Sequence, residues 1–357
     1  MRLPNSSSRR SSAAVAVLSA AALVLAGCGS SAEDSGGGSS SGSSGDFGDI
    51  TVQLSWIKNA EFAGEFFADS KGYFTDAGFS KVTLIPGPTA TENLVASGKA
   101  DFGLGNSVSA AQAISNEQAP LKVIATTYQK NPFTIVSIAD KANIKTPQDM
   151  VGKKIGVQSS NATLFDALLK ANKIDKADVT IVPVQYDPSV LTDGQVDGFL
   201  GYLTNESIIV QDEGFEVANL PFADNGLPFV AESVIATDET IAEKPDMVKA
   251  FLEAEIKGWK DACADPEGGA RLAVEDYGKK LKLDMAKEIK QAEIQCTDLI
   301  NTDETKTNGT FTISEKMQAE NIETLANAGI EIEAEDLFDT SLLDELLEEK
   351  PELKVTG

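Results

Sequence analysis

Ile50-Thr51-Val52-Gln53-Leu54-Ser55-Trp56-Ile57-Lys58-Asn59-Ala60-Glu61-Phe62-Ala63-Gly64 decides how this chain folds. A short β-rich run ends at Leu54, a turn carries Trp56 and Asn59, and a helical pattern opens near Glu61. The segment therefore reads as one strand, one loop and one helix. The alternation continues outward: strands are expected at 50–54, 81–85, 101–105, 121–126, 134–138, 154–157, 179–184, 196–200 and 233–236, and helices at 61–71, 91–97, 107–116, 163–171 and 206–212. Strands alternating with helices build βαβ units and mostly parallel sheets. After about Thr237 the pattern is wholly helical, over 244–263, 269–281, 284–296, 314–328 and 341–349, and no tandem repeat is present.

The 357 residues, 42% of them hydrophobic, suffice for one large or two medium α/β domains with a packed core. Acids outnumber bases 55 to 30, for a net charge of -25, and such a surface repels nucleic-acid phosphates and anionic headgroups. No nucleic-acid partner is expected. Histidine is absent, which removes the commonest general base, the Ser-His and Cys-His pairs and imidazole metal sites. The P-loop, Gly-x-Ser-x-Gly and Rossmann glycine patterns are absent too. The four arginines are Arg2, Arg9, Arg10 and Arg271.

Three of those arginines precede an apolar run from Ala13 to Ala26 and then Leu25-Ala26-Gly27-Cys28, the order of a secretory signal with a small-residue cleavage site. The run is too short to span a bilayer comfortably. Leu-Ala-Gly-Cys resembles the bacterial lipobox, which implies that residues 1–27 are removed and Cys28 is lipidated. An ordinary secretion signal with an incidental Cys is the alternative. Residues 28–48 are then a lipidated Cys and a Ser/Gly tether with a root-mean-square span of roughly 25 Å. The protein is expected outside the cytoplasm, attached to the bacterial cell membrane by its lipid alone. Setting Cys28 aside leaves Cys263 and Cys296, either one disulfide in an oxidising compartment or two buried thiols. Two soft ligands without histidine make no metal site.

Further segments follow the opening one: Lys71-Gly72-Tyr73-Phe74, Ala77-Gly78-Phe79, Gly98-Lys99-Ala100-Asp101-Phe102-Gly103, Asp149-Met150-Val151-Gly152-Lys153-Lys154-Ile155-Gly156-Val157 and Gly194-Gln195-Val196-Asp197-Gly198-Phe199-Leu200-Gly201-Tyr202-Leu203-Thr204-Asn205-Glu206. In this order and spacing, from about Asp49 to Ile330, the chain resembles solute-binding proteins of ABC importers. The branch is the one covering thiamine pyrimidine precursors, riboflavin, sulfonates and nitrate, similar also to thiamine pyrimidine synthases. The resemblance implies an α/β, periplasmic-binding-protein-like (type II) fold of two lobes joined by two crossovers, near 137–145 and 231–237. Lobe one would hold 49–137 and the helical 237–357, and lobe two 138–236. Such lobes close over a ligand by hinge motion.

Ligands of open α/β sheets sit beyond the carboxyl ends of strands. Four places qualify. After the first strand, Trp56 offers a stacking face and Asn59 orienting hydrogen bonds, with Phe62 beside them; Trp56 reads equally as a core plug. Asn106 and Ser107 follow the 101–105 strand, where Ser107 is either a contact or a plain helix cap. Ser159, Ser160 and Asn161 follow the 154–157 strand, as contacts or caps. Lastly, Gly201 permits close approach, Tyr202 suits a lid, and Asn205 and Glu206 pair as recognition groups, unless Glu206 is a solvated helix-start acid. Relatives often carry Pro after this Glu, where this chain has Ser207.

Nitrate and sulfonates favour guanidinium forks, and no Arg lies between residues 28 and 270. A carboxylate can instead accept from an exocyclic amine and a protonated ring nitrogen. The expected ligand is a vitamin-type heterocycle, the thiamine pyrimidine precursor first and riboflavin second. Fungal relatives that make the pyrimidine use one of their own histidines as reactant, and this chain has none to offer. The resemblance implies a monomer that needs no cofactor and partners an ABC permease and ATPase. The alternatives are a sulfonate- or nitrate-binding importer subunit, with lysines and helix N-termini in place of arginine, and a two-lobed sensory lipoprotein.

Overall fold

The computed structural model describes residues 45–354. The expected leader, the lipidation site Cys28 and most of the tether lie outside the described residues. The tether ends earlier than Gly48, because Phe47 already belongs to the fold: its N–H donates to Gly78 O at 2.9 Å and its ring lies 5.3 Å from that of Phe79. One aromatic in a Ser/Gly run is enough apolar surface to dock.

Among the described residues ten strands form: β1 (Gly48–Gln53), β2 (Phe79–Ile85), β3 (Phe102–Asn106), β4 (Leu121–Tyr128), β5 (Phe133–Ile138), β6 (Lys154–Gln158), β7 (Thr180–Val184), β8 (Gly198–Tyr202), β9 (Val217–Pro221) and β10 (Ala231–Thr237). They make two five-stranded sheets, ordered β2-β1-β3-β10-β4 and β7-β6-β8-β5-β9. The two orders are equivalent. In each sheet the strand that has just crossed from the other one, β10 in the first and β5 in the second, runs against the other four strands. Sheet pairing therefore corrects the crossover positions. The first crossover occupies residues 129–132, because β5 pairs with β8 and β9, and the second occupies 222–230, because β10 pairs with β3 and β4. Both strands are buried over nearly their whole length, so no exposed face in the local pattern assigns them to a sheet. The crossovers are tied to each other: Asn131 N–H donates to Phe229 O at 2.9 Å and its Nδ2 to Leu227 O at 3.0 Å.

Strand β9 was not expected from the pattern. It is the edge strand of its sheet, half-exposed on alternate residues and ended by Pro221, and short edge strands carry little apolar signal. The helices were more legible. Pro245–Ala264, Glu315–Asn327 and Ser341–Glu349 fall within a residue of expectation, whereas Pro266–Arg271 and Met285–Ile294 each pass into π-helical segments, Leu272–Tyr277 and Gln295–Ile300. A disulfide joins Cys263 to Cys296, across Cα atoms 5.4 Å apart. It fastens the end of the longest helix to the second π-helical segment.

The first sheet is packed beneath Pro245–Ala264 through aromatic side chains: Phe251 stacks on Phe102 at 4.1 Å and on Phe74 at 5.8 Å. Helix Ala63–Ser70 crosses Pro245–Ala264 so closely that only glycine fits. A Cβ on Gly258 would lie 2.2 Å from Gly64 O, and one on Gly64 would lie 2.3 Å from the Trp259 ring. Gly258→Ala is therefore expected to destabilise the protein by about 1–3 kcal/mol through overpacking. Thermal unfolding of the variant checks this, and an unchanged midpoint would contradict the close crossing. Among the described residues no helix is long and apolar enough to cross a membrane.

Candidate functional site

The carboxyl ends of β1, β3, β6 and β8 and the starts of the two reversed strands, β5 and β10, converge on one partly open space between the sheets. Residues of the first sheet on its wall are Ser55, Trp56, Glu61, Gly105, Asn106 and Glu232; those of the second are Phe133, Asn161, Leu200, Gly201, Tyr202, Asn205 and Glu206. Among the described residues no Lys or Arg lines it. Its polar character comes from three buried glutamates, each 1–2% exposed.

Glu232 sits at the centre. It occupies a bulge in β10, where the pairing with β3 shifts between Ala231 and Ser233, and its φ is 45°. A carboxyl side chain at positive φ in a buried strand is held there by its surroundings, and such strain collects at functional sites. The Ser55 hydroxyl donates to Glu232 Oε2 at 2.8 Å, and the Tyr202 hydroxyl donates from the opposite lobe to Oε1 at 3.0 Å. The Glu61 carboxyl hydrogen-bonds to Glu232 as well. Burial pushes Glu61 well above the ordinary carboxylate range, and the neighbouring Glu232 pushes it further. Burial also raises Glu232, while its bonds from Glu61, Ser55 and Tyr202 hold it down. Both carboxyls are therefore raised, Glu61 the further of the two, and they titrate as a coupled pair.

Glu206 behaves differently. It opens the helix Glu206–Asp212 and folds back over its own turn, so that Oε2 accepts from Tyr202 N–H and Oε1 from Asn205 Nδ2, both at 2.7 Å. Gly201 makes room for this: a Cβ there would lie 2.7 Å from Glu206 Oε2. The close approach permitted by Gly201 is therefore that of Glu206. Burial pushes Glu206 up to about 7 against the pull of the Tyr202 N–H and of Lys287.

Of the residues singled out in the sequence, Trp56, Asn106, Asn161, Tyr202, Asn205 and Glu206 are brought together on this wall. Asn59 lines a neighbouring chamber. Phe62 does not reach the space: it is fully buried in the core, 6.5 Å from the Phe66 ring. Nor does Ser107, whose hydroxyl donates to Asn321 Oδ1 at 2.7 Å while Val230 N–H donates to the same oxygen at 3.1 Å. Ser107 therefore clamps the second crossover. Ser159 and Ser160 form the outer part of a single 3-10 turn and are absent from the wall, because only the last residue of that turn, Asn161, reaches it. Asn106 caps the following helix by accepting from Ser109 N–H at 2.9 Å. Residues missed were Ser55, Glu61, Phe133 and Glu232. Glu232 had a visible signal, a lone acid inside the apolar run Phe229-Val230-Ala231-Glu232-Ser233-Val234.

Behind the wall lies a second acid pair. Glu65 and Glu255 hydrogen-bond to each other, and Trp259 Nε1 donates to Glu65 Oε1 at 3.4 Å. Burial pushes Glu65 up to about 8 and Glu255 well above its ordinary value. No cluster of metal-ligating side chains occurs among the described residues.

Comparison with known proteins places this geometry. The family model described as NMT1/THI5 like matches residues 59–269. Among the relatives, the riboflavin-binding protein RibY of Chloroflexus aurantiacus is 26% identical over 240 residues, covering 63% of this chain and 66% of that protein. The formylaminopyrimidine-binding protein of Halalkalibacterium halodurans is 24% identical over 224 residues, 61% of this chain and 67% of that one. A 4-amino-5-hydroxymethyl-2-methylpyrimidine phosphate synthase of Uromyces fabae is 28% identical over 236 residues, 61% and 68% of the two chains. Among solved structures, the alkanesulfonate-binding protein SsuA from Xanthomonas axonopodis pv. citri, bound to MOPS, superimposes with a TM-score of 0.60 at 14% identity, over 80% of this chain and 95% of that one. This last likeness shows the fold, that of periplasmic binding proteins.

Proposed function

Because the chain belongs to the NMT1/THI5-like family, we propose that it is the extracytoplasmic solute-binding subunit of an ABC importer, capturing a small heterocycle between its two lobes and delivering it to a permease. The observation that carries this reading is the interlobe cavity walled by Glu61, Glu206 and Glu232 and by the rings of Trp56, Phe133 and Tyr202, with no cation on its surface. A carboxylate already fixed by Ser55 and Tyr202 is oriented to accept from an amine or a protonated ring nitrogen. The aromatic rings suit a flat partner. The thiamine pyrimidine precursor, an aminopyrimidine, meets both demands; riboflavin meets the second.

A buried anion in this space would face three carboxyl groups and no compensating cation, an arrangement that costs several kcal/mol. Sulfonate and nitrate, the alternatives on fold grounds, are therefore disfavoured. Binding rather than catalysis is supported by the sequence, which has no histidine to serve as a reactant or as a general base. Lipid anchoring through Cys28 and a monomeric state complete the proposal. A sensory lipoprotein would share the site but lack a partner permease.

Thermal unfolding in the presence of 4-amino-5-hydroxymethyl-2-methylpyrimidine, thiamine, riboflavin, taurine, an alkanesulfonate and nitrate tests it. Ligand at about 100 times its dissociation constant stabilises by roughly 2.7 kcal/mol, a rise of a few degrees at this size. The expected result is a rise with a heterocycle and none with the oxyanions. A rise confined to taurine, sulfonate or nitrate would overturn the proposal.

A further inference from the structure

The inner cavity is not the end of the cleft. Trp56, Asn205 and Glu206 also line a second, more open chamber of about 1080 Å³, whose far walls come from the loop after β7 and from residues 281–288 of the helical segment. A ligand seated on Trp56 and Glu206 therefore has room to continue outward past them. Three features of this chamber point to what would lie there.

The first is charge. Asp187, Asp212, Glu213 and Asp284 line it and form no ion pair among the described residues, while Lys287 is already held by Glu288 at 3.0 Å. Lys282 is the remaining basic residue on the wall, so the chamber is net acidic. The second is a set of unspent buried amides: Asn59 Nδ2 and Asn205 Oδ1 lie in side chains that are 0% and 2% exposed, and neither atom has a hydrogen-bond partner. Both atoms lie just beneath the chamber surface, so an outward turn of either side chain would bring it within reach of an occupant. The third is exposed apolar surface. Tyr186, 42% exposed, and Leu281, 36% exposed, are two of the few large hydrophobic side chains left open to solvent, and they line this same chamber from opposite lobes.

Resting on the reading of the inner cavity given above, we propose that the cognate ligand is a two-part molecule: an amine-bearing flat ring in the inner cavity, joined past Trp56 and Glu206 to a second, cationic ring in the outer chamber. There the acids supply the counter-charge, Tyr186 and Leu281 cover the ring faces, and the amides of Asn59 and Asn205 meet its polar substituents. A neutral single-ring compound would leave the outer groups unused.

Calorimetric titration of the protein at pH 8 with thiamine, in which an aminopyrimidine is linked to a thiazolium, and with 4-amino-5-hydroxymethyl-2-methylpyrimidine alone separates the possibilities. Thiamine is expected to bind at least about tenfold more tightly than the pyrimidine, with an advantage that shrinks at high salt. In the double variant Asp212→Asn/Glu213→Gln, both positions exposed on the lobe-two wall, thiamine affinity is expected to fall by roughly threefold or more and pyrimidine affinity to stay unchanged. Equal affinities for the two compounds in the unaltered protein would overturn the outer-chamber proposal while preserving the inner site. So would riboflavin binding with thiamine silent, since its side chain carries no cation. Silence of all three compounds would remove the inner reading and this extension together.

Discussion

Glu232→Gln is expected to weaken binding of an amine-bearing heterocycle by about 3–4 kcal/mol, several hundredfold, while leaving the unliganded protein at least as stable as before. Gln keeps the shape, and its one carbonyl oxygen, placed at the Oε1 position, can still accept from Tyr202 and Ser55, which both approach that atom at 3.0 Å. What it removes is the charge that a buried ligand amine would pair with, and an uncompensated cation in a closed cavity is costly. In the unliganded protein, by contrast, burial raises the Glu232 carboxyl, so ionising it carries a desolvation cost that Gln does not. The combination separates a recognition role from a structural one: a merely structural Glu232 would lower the unfolding midpoint along with affinity. Glu206→Gln is expected to cost less affinity, because both Glu206 oxygens are already bound by Tyr202 N–H and Asn205. Calorimetric titration with 4-amino-5-hydroxymethyl-2-methylpyrimidine measures all three proteins. Affinity of Glu232→Gln within threefold of the parent would contradict the assignment.

The second large effect is on pH dependence. Glu206 is raised from its ordinary value of 4.5 to about 7, and Glu65 to about 8, both by burial. A group whose folded value lies above its unfolded value binds its proton more tightly in the folded state. Its contribution is therefore fully present below about pH 4.5 and is lost as pH rises through the folded value. At about 1.4 kcal/mol for each pH unit between the two values, Glu206 alone accounts for roughly 3 kcal/mol and Glu65 for somewhat more. Carboxyls lowered by hydrogen bonds and ion pairs, such as Asp149, Asp261 and Glu253, act in the opposite sense, and only below about pH 4.5. The unliganded protein should consequently lose several kcal/mol of stability between pH 5 and pH 8. Urea unfolding across that range measures the slope, and Glu206→Gln should flatten it. A stability that is level or rises with pH would show that the buried acids are not held neutral.

How much of this was legible beforehand varies with the physics of each element. The βα alternation was clear wherever a strand is buried on both faces and its helix carries an apolar stripe, as in β3 and the helix Ser107–Glu117 that follows. The lobe assignment of β5 and β10 was not, because a strand buried on all sides looks the same in either sheet and only its pairing partners decide. At the site, residues directly after strands were found by the carboxyl-end rule, and Trp56, Asn106, Asn161 and the Tyr202-Asn205-Glu206 turn do meet there. The rule cannot see the reversed strands, which present their starts to the cleft, and this is how Phe133 and Glu232 escaped it. Glu61 was within the quoted segment but read as part of an ordinary helix start. Nothing local distinguishes a surface acid from one that folds under a partner 171 positions later, as Glu61 does under Glu232. Phe62 and Ser107 illustrate the converse: position after a strand does not reveal whether a side chain turns toward the cleft or into the core.

We propose the acidic space between the sheets as the recognition site for an amine-bearing ring. A crystal structure of the protein with 4-amino-5-hydroxymethyl-2-methylpyrimidine tests this most directly. The expected result places the ring in the inner cavity, against Trp56 or Tyr202, with its amine within hydrogen-bond distance of Glu232. A ring bound elsewhere, or an inner cavity occupied by an oxyanion in preference to the pyrimidine, would contradict it.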